Sequence, residues 1–370
     1  MAWPTWLPSP PPLSELIADL SALIAIPAPP LHEERRAVAL RDWLSVHGVP
    51  AEIDQTGNVV ARWGPSSGRA KAFLAHIDTA LDVGAVVPRE EDGRLYGHGA
   101  ADNGSGLSVL SHLAVLAWRS GAEPRQPFYF VFNVGEEGLG DLRGARGFVA
   151  EHQRELDAVV ALDGRLGDIV HQGIGSRRLD AGFETLGGHS WSDFGSPSAI
   201  HLLGQAIARL GDLALPHVPR TTLNVGVIEG GSAVNAIARQ AHCLIDLRSE
   251  DMRTLHRLER DVRAVFQDLA HMPVRFHCQC IGDRPGGAVD RDHPLVTTAA
   301  AALAEVGLSP MYTAGSTDAN AALGQGIPGI CCGVGRGGLA HTPDEWLDED
   351  SLVDGLNFAA VLLDRLARRS

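Results

Sequence analysis

The stretch that decides the fold runs from Phe128 to Glu137 and has the sequence FYFVFNVGEE. Its residues up to Val134 are mostly aromatic or β-branched, which is typical of a buried β-strand. Gly135 then ends the strand, and Glu136 and Glu137 follow directly. The stretch therefore predicts a buried strand whose carboxyl end delivers two acidic side chains to the edge of a sheet.

Two shorter apolar segments, residues 72–75 and 158–162, lie on either side of this strand in the chain. Helical patterns of apolar residues occur at residues 13–24, 32–47 and 104–118. Short buried strands that alternate with helices favour a largely parallel sheet that is covered on both faces. We therefore predict an α/β fold of three layers, in which a mostly parallel sheet has helices on both faces.

The pattern changes at about Ser176 and returns to the α/β type after Gly287. The segments between these points follow the order strand, helix, strand, strand, helix, strand. They lie at residues 178–185, 199–210, 221–228, 241–247, 255–269 and 274–278. This order is typical of a small ferredoxin-like α+β domain with its helices on one face.

The length of the chain also favours more than one domain, because 370 residues exceed what one hydrophobic core usually serves. We predict a catalytic domain in two parts, residues 1–175 and 288–370. An inserted domain at residues 176–287 interrupts it.

Composition and charge limit the partners and the location of the protein. The chain has 45 acidic and 31 basic residues, which gives a formal net charge of -14. Phosphate backbones and anionic membranes are repelled by such a charge, so we expect neither as a partner.

Five cysteines in a chain of this length do not form a disulfide framework, and we expect buried, reduced thiols. The start of the chain does not resemble a signal peptide, and no apolar run is long enough to span a membrane. We therefore expect a cytoplasmic protein.

Histidine and acidic side chains follow four of the predicted strands at the point where each strand ends. They are His76 with Asp78, Glu136 with Glu137, Asp163, and His341. In an open α/β sheet, ligands bind outside the carboxyl ends of the strands. The sequence therefore predicts a metal site at this edge.

The number of candidate ligands indicates two metal ions. A catalytic zinc ion takes about three protein ligands and a water molecule. Five candidates, His76, Asp102, Glu137, Asp163 and His341, supply three ligands to each of two ions if one carboxylate bridges. Imidazole and carboxylate ligands suit zinc, with cobalt or manganese as alternatives.

Each of these residues also has a purely structural interpretation. His76 is consistent with a histidine that only satisfies hydrogen bonds at a strand end, and Asp102 with the N-cap of the following helix. Glu136 and Glu137 are consistent with a solvated loop pair, and Asp163 with the start of a turn. These interpretations require five coincidences at one edge of a sheet, which favours the metal site.

Asp78 lies two residues after His76, so both side chains are on the same face of the strand. We expect the Asp78 side chain to hydrogen-bond the free ring nitrogen of His76 and to orient the ring.

Two motifs that would indicate other functions are weak. Residues 333–338 match GxGxxG but precede no helical pattern, and residues 64–68 match GxSxG within a polar turn.

With these residues in place, the chain resembles the dinuclear zinc exopeptidase and amidohydrolase family. That family includes bacterial glutamate carboxypeptidase, peptidase T, acetylornithine deacetylase and succinyl-diaminopimelate desuccinylase. The resemblance covers nearly the whole chain and depends on blocks that occur in order. They are residues 76–78 (HID), 96–103 (YGHGAADN), 135–138 (GEEG), 162–163 (LD), 187–190 (GGHS), 235–237 (NAI), 246–248 (DLR), 316–318 (STD) and 341–343 (HTP).

The resemblance implies a role for each candidate metal ligand. Asp102 would bridge the two metal ions. Glu137 and His341 would complete one metal site, and His76 and Asp163 would complete the other.

The resemblance also implies roles for the residues that act on the substrate. Glu136 would be the general base, and Asp78 would support His76. The inserted domain would be a lid that also forms a homodimer contact. Its His189 would contact the transition-state oxygen, and Asn235 and Arg248 would bind a substrate carboxylate.

One block departs from the pattern of the family. Many members place a lysine two residues after the bridging aspartate, in the order D-x-K-G, whereas here Asp102 is followed by Asn103, Gly104, Ser105 and Gly106. This form is similar to aminopeptidase-like branches of the family. It argues against a specific assignment to the deacylases. The candidate metal ligands are not affected.

The sequence thus predicts a metal-dependent hydrolase of short peptides, of the aminopeptidase, dipeptidase or carboxypeptidase type. A metal-activated water would attack the amide bond with Glu136 as the base. The alternative is an N-acyl-amino-acid deacylase similar to acetylornithine deacetylase. A third interpretation, a metal-dependent binding protein without activity, predicts loss of the base, yet Glu136 is present.

Overall fold

The computed structural model describes residues 3–368. The chain divides into two units, one of residues up to Gly173 together with those from Ala288, and one of Ile174–Gly287. The predicted inserted segment, residues 176–287, lies within the second unit. Among the described residues, no helix has both the length and the apolar character needed to cross a membrane.

The described residues form helices and strands that we number in chain order. The helices are α1 (Leu13–Ile24), α2 (Glu34–Val46), α3 (Gly106–Arg119), α4 (Arg143–His152), α5 (Ala199–Gly211), α6 (Met252–Leu269), α7 (Pro294–Glu305), α8 (Ala319–Leu323) and α9 (Asp350–Arg368). The first strands are β1 (Ala51–Ile53), β2 (Val59–Trp63), β3 (Ala70–His76), β4 (Arg89–Glu91), β5 (Arg94–Tyr96), β6 (Phe128–Asn133), β7 (Leu156–Leu166), β8 (Asp168–Gly173), β9 (Gly175–Glu184) and β10 (Gly188–His189). The others are β11 (Thr221–Gly230), β12 (Ala236–Ile237), β13 (Gln240–Ser249), β14 (Arg275–Arg284), β15 (Gly287–Ala288), β16 (Met311–Gly315), β17 (Gly329–Gly333), β18 (Gly337–Gly338) and β19 (Trp346–Asp348).

A nine-stranded sheet forms the centre of the first unit, in the order β1-β2-β6-β3-β7-β17-β8-β15, with β16 paired to β8. Its central strands β6, β3, β7 and β17 are parallel to one another. The predicted mostly parallel sheet is therefore confirmed. The antiparallel strands β1 and β2, which were not predicted, extend it at one side.

Helices cover both faces of this sheet, as predicted. Alternate residues of its central strands face opposite sides. Phe73 and Phe130 belong to the core that includes α3 and α9, whereas Leu74 and Val131 belong to the core that includes Phe148 of α4. All five side chains are fully buried. Truncation of one such phenylalanine to alanine typically costs about 3–5 kcal/mol, so this packing holds the strand ends firmly.

The second unit has the predicted order of elements, β9-α5-β11-β13-α6-β14. Its four long strands form an antiparallel sheet in the order β11-β13-β9-β14. Residues such as Phe183 of β9, Leu203 of α5 and Phe266 of α6 share one core, so both helices cover the same face. The ferredoxin-like arrangement is confirmed, while the roles of lid and dimer contact remain predictions.

The cysteines are all free, but they are not all buried as expected. Cys243, Cys331 and Cys332 are buried, Cys278 is half-buried and Cys280 is exposed. The last two lie on β14, which is an edge strand of its sheet. An edge strand has a neighbour on one side only, which leaves its side chains more accessible.

Candidate metal centre

The carboxyl ends of the central parallel strands bring the candidate ligands of the first unit together. His76 is the last residue of β3 and lies beside Asn133, the last residue of β6. Glu136 and Glu137 follow β6, and both are buried. This placement agrees with the rule that functional groups of α/β sheets gather at this edge.

The ligand candidates form two groups that share Asp102. In the first group, the Nε2 atom of His76 lies 3.2 Å from Oδ1 of Asp102 and 4.0 Å from Oδ2 of Asp163. In the second group, the Nε2 atom of His341 lies 3.1 Å from Oδ2 of Asp102 and 2.8 Å from Oε1 of Glu137. Each carboxylate oxygen of Asp102 thus faces a different histidine, which is the arrangement that a bridging carboxylate requires.

The first group shows why its donor atoms fit a cation. The Nδ1 atom of His76 lies 3.0 Å from the backbone carbonyl oxygen of Asp78. Because a carbonyl oxygen only accepts, Nδ1 carries the hydrogen and donates the hydrogen bond. In the neutral ring, Nε2 is then an acceptor, and it faces another acceptor, the carboxylate of Asp102. Two facing acceptors need a proton or a metal ion between them, so the donor set fits a metal such as zinc.

The Asp78 side chain does not make the predicted hydrogen bond to His76. Its Oδ1 atom lies 3.6 Å from Nδ1 of His76, and the hydrogen bond goes to the Asp78 backbone carbonyl instead. The carboxylate accepts the backbone N–H groups of Glu136 at 3.0 Å and of Glu137 at 2.8 Å. Asp78 therefore orients His76 through its backbone and holds the Glu136–Glu137 pair through its side chain.

Asp102 lies on an irregular turn, Ala100–Ser105, that precedes α3. Its φ and ψ angles, -111° and 94°, are not helical, and no side-chain hydrogen bond from it caps that turn or α3. The interpretation of Asp102 as an N-cap is therefore wrong. The peptide bond between Asp102 and Asn103 is cis.

Two residues that the sequence analysis did not assign a role hold this turn. The fully buried carboxylate of Glu345 accepts the backbone N–H groups of Gly99 at 2.9 Å, Ala101 at 2.8 Å and Asp102 at 2.7 Å. Asn103 donates to the carbonyl oxygen of Leu162 at 2.9 Å, which ties the turn to β7. Both fix the backbone of Asp102 and therefore the direction of its carboxylate.

The departure from the D-x-K-G pattern has a steric reason in this chain. A Cβ atom at Gly104 would lie 2.4 Å from the carbonyl oxygen of Gly99 and 2.8 Å from the Leu20 side chain of α1. These distances exclude any side chain unless the turn or α1 moves. A side chain at this position is therefore excluded first by the backbone of the turn itself and next by the Leu20 side chain of α1.

The prediction that the strand ends at Asp163 is wrong. Strand β7 runs on to Leu166, and the pairing with β17 jumps from Leu162 to Leu166. Asp163 lies in the resulting bulge, which is a common way to aim a side chain at a functional site. Burial and then the charge of Asp102 raise the pKa of Asp163 to about 7.

The pKa shifts reflect the crowding of charges. Hydrogen bonds to Asp102 and Glu137 raise the pKa of His341 to about 10. Burial opposes the ionisation of Asp102, but hydrogen bonds from His341 and His76 outweigh it and hold the pKa of Asp102 below its usual range. His341 also has a φ of 63°, which lies in the left-handed region that residues other than glycine adopt uncommonly and that is enriched at functional sites.

Glu136 lies close to the first group. Nitrogen and oxygen atoms of His76, Glu136 and Glu137 fall within 4.8 Å of one another. Glu136 is 6% exposed, so its carboxylate is largely removed from bulk water. This placement suits a group that exchanges a proton with a water bound among these residues.

The other three candidate residues lie in the second unit. His189 ends strand β10, which pairs with β12, and Ser190 donates its backbone N–H to the carbonyl oxygen of Asn235 at 3.0 Å. The structure therefore places Asn235 directly before the strand that pairs with His189. Arg248 lies on β13, and its Nε atom donates to Asp246 at 2.7 Å.

The competing motifs lie in unsuitable surroundings. The chain from Gly333 enters β18 and not a helix, so residues 333–338 lack the helix N-terminus of a dinucleotide site. Residues 64–68 connect β2 to β3 and therefore do not form a strand-to-helix elbow.

Comparisons with known proteins show which family and which fold the chain is similar to. The model of peptidase family M20/M25/M40 matches residues 72–365. The chain is 29% identical over 339 residues to a putative succinyl-diaminopimelate desuccinylase of Mycobacterium tuberculosis, covering 88% of this chain and 91% of that protein. Among solved structures, it is similar to a tripeptidase from Staphylococcus aureus, with a TM-score of 0.81 and 22% identity over 97% of this chain and 99% of that one. It is also similar to a dinuclear metal-binding M20 peptidase from Bacillus subtilis, with a TM-score of 0.69 and 20% identity over 95% and 97% of the two chains.

Proposed function

Because the chain belongs to peptidase family M20/M25/M40, we propose that it is a di-metal exopeptidase that cleaves short peptides. The chain is a hydrolase, and the members of its family include peptidases and enzymes that remove acyl groups from amino acids. The single observation that carries the proposal is the pair of ligand groups that share Asp102. The alternative substrate is an N-acyl amino acid, which the desuccinylase relative favours.

We assign five side chains to two divalent metal ions, with zinc first and cobalt or manganese as alternatives. Asp102 would bridge, His76 and Asp163 would hold one ion, and Glu137 and His341 would hold the other. When bound, two such ions lower the pKa of a shared water and polarise the substrate carbonyl group.

The side chains of this protein supply the remaining chemistry. Glu136 would take a proton from the attacking water and give it to the leaving amine nitrogen. Asp78 keeps Glu136 in place through the backbone hydrogen bond. The His189 side chain would donate a hydrogen bond to the oxyanion of the tetrahedral intermediate.

Asn235 and Arg248 are the proposed ligands of a substrate carboxylate. The Arg248 side chain is about half exposed, so a substrate carboxylate has access to it, although its Nε atom already pairs with Asp246. A planar guanidinium binds a carboxylate through two parallel hydrogen bonds, which favours substrates with a free C-terminus.

We also propose that the second unit forms a homodimer contact. Strand β11 is an edge of its sheet, so one side of its backbone faces no neighbouring strand of that sheet. Val227 and Ile228 on β11 and Ile200 on α5 are exposed apolar residues. An exposed edge with apolar side chains is a template for pairing with another chain, and two-fold homodimers are the commonest oligomers. Sedimentation analysis of the full-length chain measures this oligomeric state.

All five cysteines are free thiols, which agrees with a reducing compartment. On this ground we propose that the enzyme works in the cytoplasm. Fractionation of cells with an antibody to the protein tests the location.

The metal content gives a direct test of the ligand assignment. We expect about two zinc ions per chain by elemental analysis of the zinc-loaded protein. His76→Ala and Asp163→Ala should each lower this number, because each removes a ligand of the same ion. His171→Ala is a matched control, since this histidine of the first unit hydrogen-bonds a backbone carbonyl away from the site. Full activity after exhaustive chelation would contradict the proposal.

A substrate panel separates the two proposed activities. Dipeptides and tripeptides are compared with N-acetyl and N-succinyl amino acids on the zinc-loaded protein. We expect higher kcat/KM values for the peptides. Cleavage of the N-acyl amino acids alone would replace the peptidase by the deacylase, and cleavage of neither class would contradict both.

A further inference from the structure

A row of polar side chains crosses the sheet of the second unit on the face opposite α5 and α6. Glu229 of β11 pairs in register with His242 of β13, and His242 pairs with Gly182 of β9. His277 of β14 pairs with the same glycine from the other side. The two histidines therefore flank Gly182 across three neighbouring strands.

The glycine at this crossing allows the histidines to approach each other. A Cβ atom at Gly182 would lie 2.6 Å from Cβ of His242 and 2.4 Å from the carbonyl oxygen of Ala241. Any side chain there would displace His242. With glycine in place, the two imidazole rings lie 6.4 Å apart between centroids.

A carboxylate completes the group. Asp180 lies two residues before Gly182 on β9 and therefore on the same face of the sheet. Its Oδ1 atom is 3.0 Å from Nδ1 of His242 and 3.2 Å from Nε2 of His277. One atom from each of the three side chains lies within 4.8 Å of the others.

The geometry points to a second metal site: we propose that Asp180, His242 and His277 bind one divalent transition metal ion, with zinc as the best match. Two imidazoles and a carboxylate are a common zinc ligand set with one position left for water. Donor atoms about 2.1 Å from one tetrahedral zinc lie about 3.4 Å apart, so the two distances need to open by only a few tenths of an ångström.

Glu229 supports this interpretation as an orienting group. Its carboxylate lies 3.5 Å from Nε2 of His242, the ring nitrogen that does not face Asp180. A metal-bound histidine usually donates its other N–H to a carboxylate or carbonyl oxygen. Glu229 would therefore hold His242 with Nδ1 free to bind the ion.

Solvent and ions reach the site. A surface cavity of about 450 Å³ is lined by His242, His277 and Glu229 among other residues of this unit. The ligand side chains are between 30% and 50% exposed. Because the ligands come from three different strands, a bound ion would cross-link β9, β13 and β14 and stabilise the folded unit.

Equilibrium dialysis of the full-length, chelator-stripped protein against excess zinc tests the proposal. We expect wild type to bind about one zinc ion per chain more than the double variant His242→Ala/His277→Ala. Asp180→Asn, which keeps the shape of the side chain, should lose most of the same equivalent. The rise in Tm on adding zinc should be larger for wild type than for either variant.

The matched control is His271→Ala, because His271 is an exposed histidine of the same unit outside the cluster. It should bind as much zinc as wild type. The result is a difference between variants, so it does not depend on the dinuclear centre proposed for the first unit, and peptidase activity should be equal in all of them. Equal zinc binding by wild type and the double variant, or an equal loss in His271→Ala, would overturn the proposal.

Discussion

Glu136→Gln is expected to lower kcat by at least about 10²-fold, the low end of what positioned acid–base catalysis supplies. Glutamine keeps the shape of the side chain but cannot accept the proton of the attacking water. The backbone N–H of residue 136 still binds Asp78, so the loop should keep its place. Because the side chain is not an assigned metal ligand, we expect the KM and the zinc content to stay near their wild-type values.

Glu137→Gln is the matched control for this measurement. The two residues are neighbours, are both buried and are both held by Asp78, but only Glu137 lies 2.8 Å from Nε2 of His341. We expect Glu137→Gln to lose metal as well as turnover, and activity should partly return at high zinc concentration. Glu136→Gln should not respond to added zinc. Turnover near wild type in Glu136→Gln would show that another group is the base.

The central strands and the convergence of their ends could be predicted from the sequence. A short run such as Phe128–Val134, which is mostly aromatic and β-branched, favours a buried strand, and parallel strands end at the same edge. His76, Glu136 and Glu137 therefore had to lie close together once the sheet was parallel. Short strands such as β1 and β2 lack a distinctive pattern, because three to five residues carry little periodicity.

The contacts that fine-tune the candidate site could not be predicted in this way. Glu345 holds the backbone of Asp102 across 243 positions of sequence, and no local pattern indicates such a contact. The same holds for the bulge that places Asp163, because its sequence also suits a strand end followed by a turn at Gly164. Asp78 shows a third limit. Spacing places it beside His76, but only the structure reveals that its carboxylate binds two backbone N–H groups instead.

His189→Ala is the second variant for which we expect a large effect, a fall in kcat of about 10²–10³-fold, which is typical for the loss of one oxyanion donor. The Nδ1 atom of His189 accepts the backbone N–H groups of Trp191 at 3.2 Å and of Ser192 at 3.4 Å. In the neutral ring the proton therefore lies on Nε2, which makes that atom a donor. The backbone N–H of His189 donates to the Asp193 carboxylate at 2.7 Å, which fixes the turn that follows β10.

The matched variants for His189 test this tautomer. His189→Asn has a side-chain N–H₂ donor on a shorter side chain and should retain part of the activity that His189→Ala loses. Zinc content should stay unchanged in both, because neither touches a proposed ligand of the ions. Wild-type kcat in His189→Ala would make this residue a turn histidine without a catalytic role.

Mixing two inactive variants decides which subunit His189 serves. One hypothesis is that the second unit forms a two-fold dimer in which His189 serves the metal ions of the neighbouring chain, and the alternative is that it serves its own chain. Glu136→Gln chains are mixed with His189→Ala chains and the subunits are allowed to exchange. In a mixed dimer, one site would lack both groups and the other would regain both. Half of randomly reassorted dimers are mixed, so activity should recover to roughly a quarter of wild type. No recovery, with exchange verified by differently tagged chains, would mean that His189 acts within its own subunit or outside catalysis.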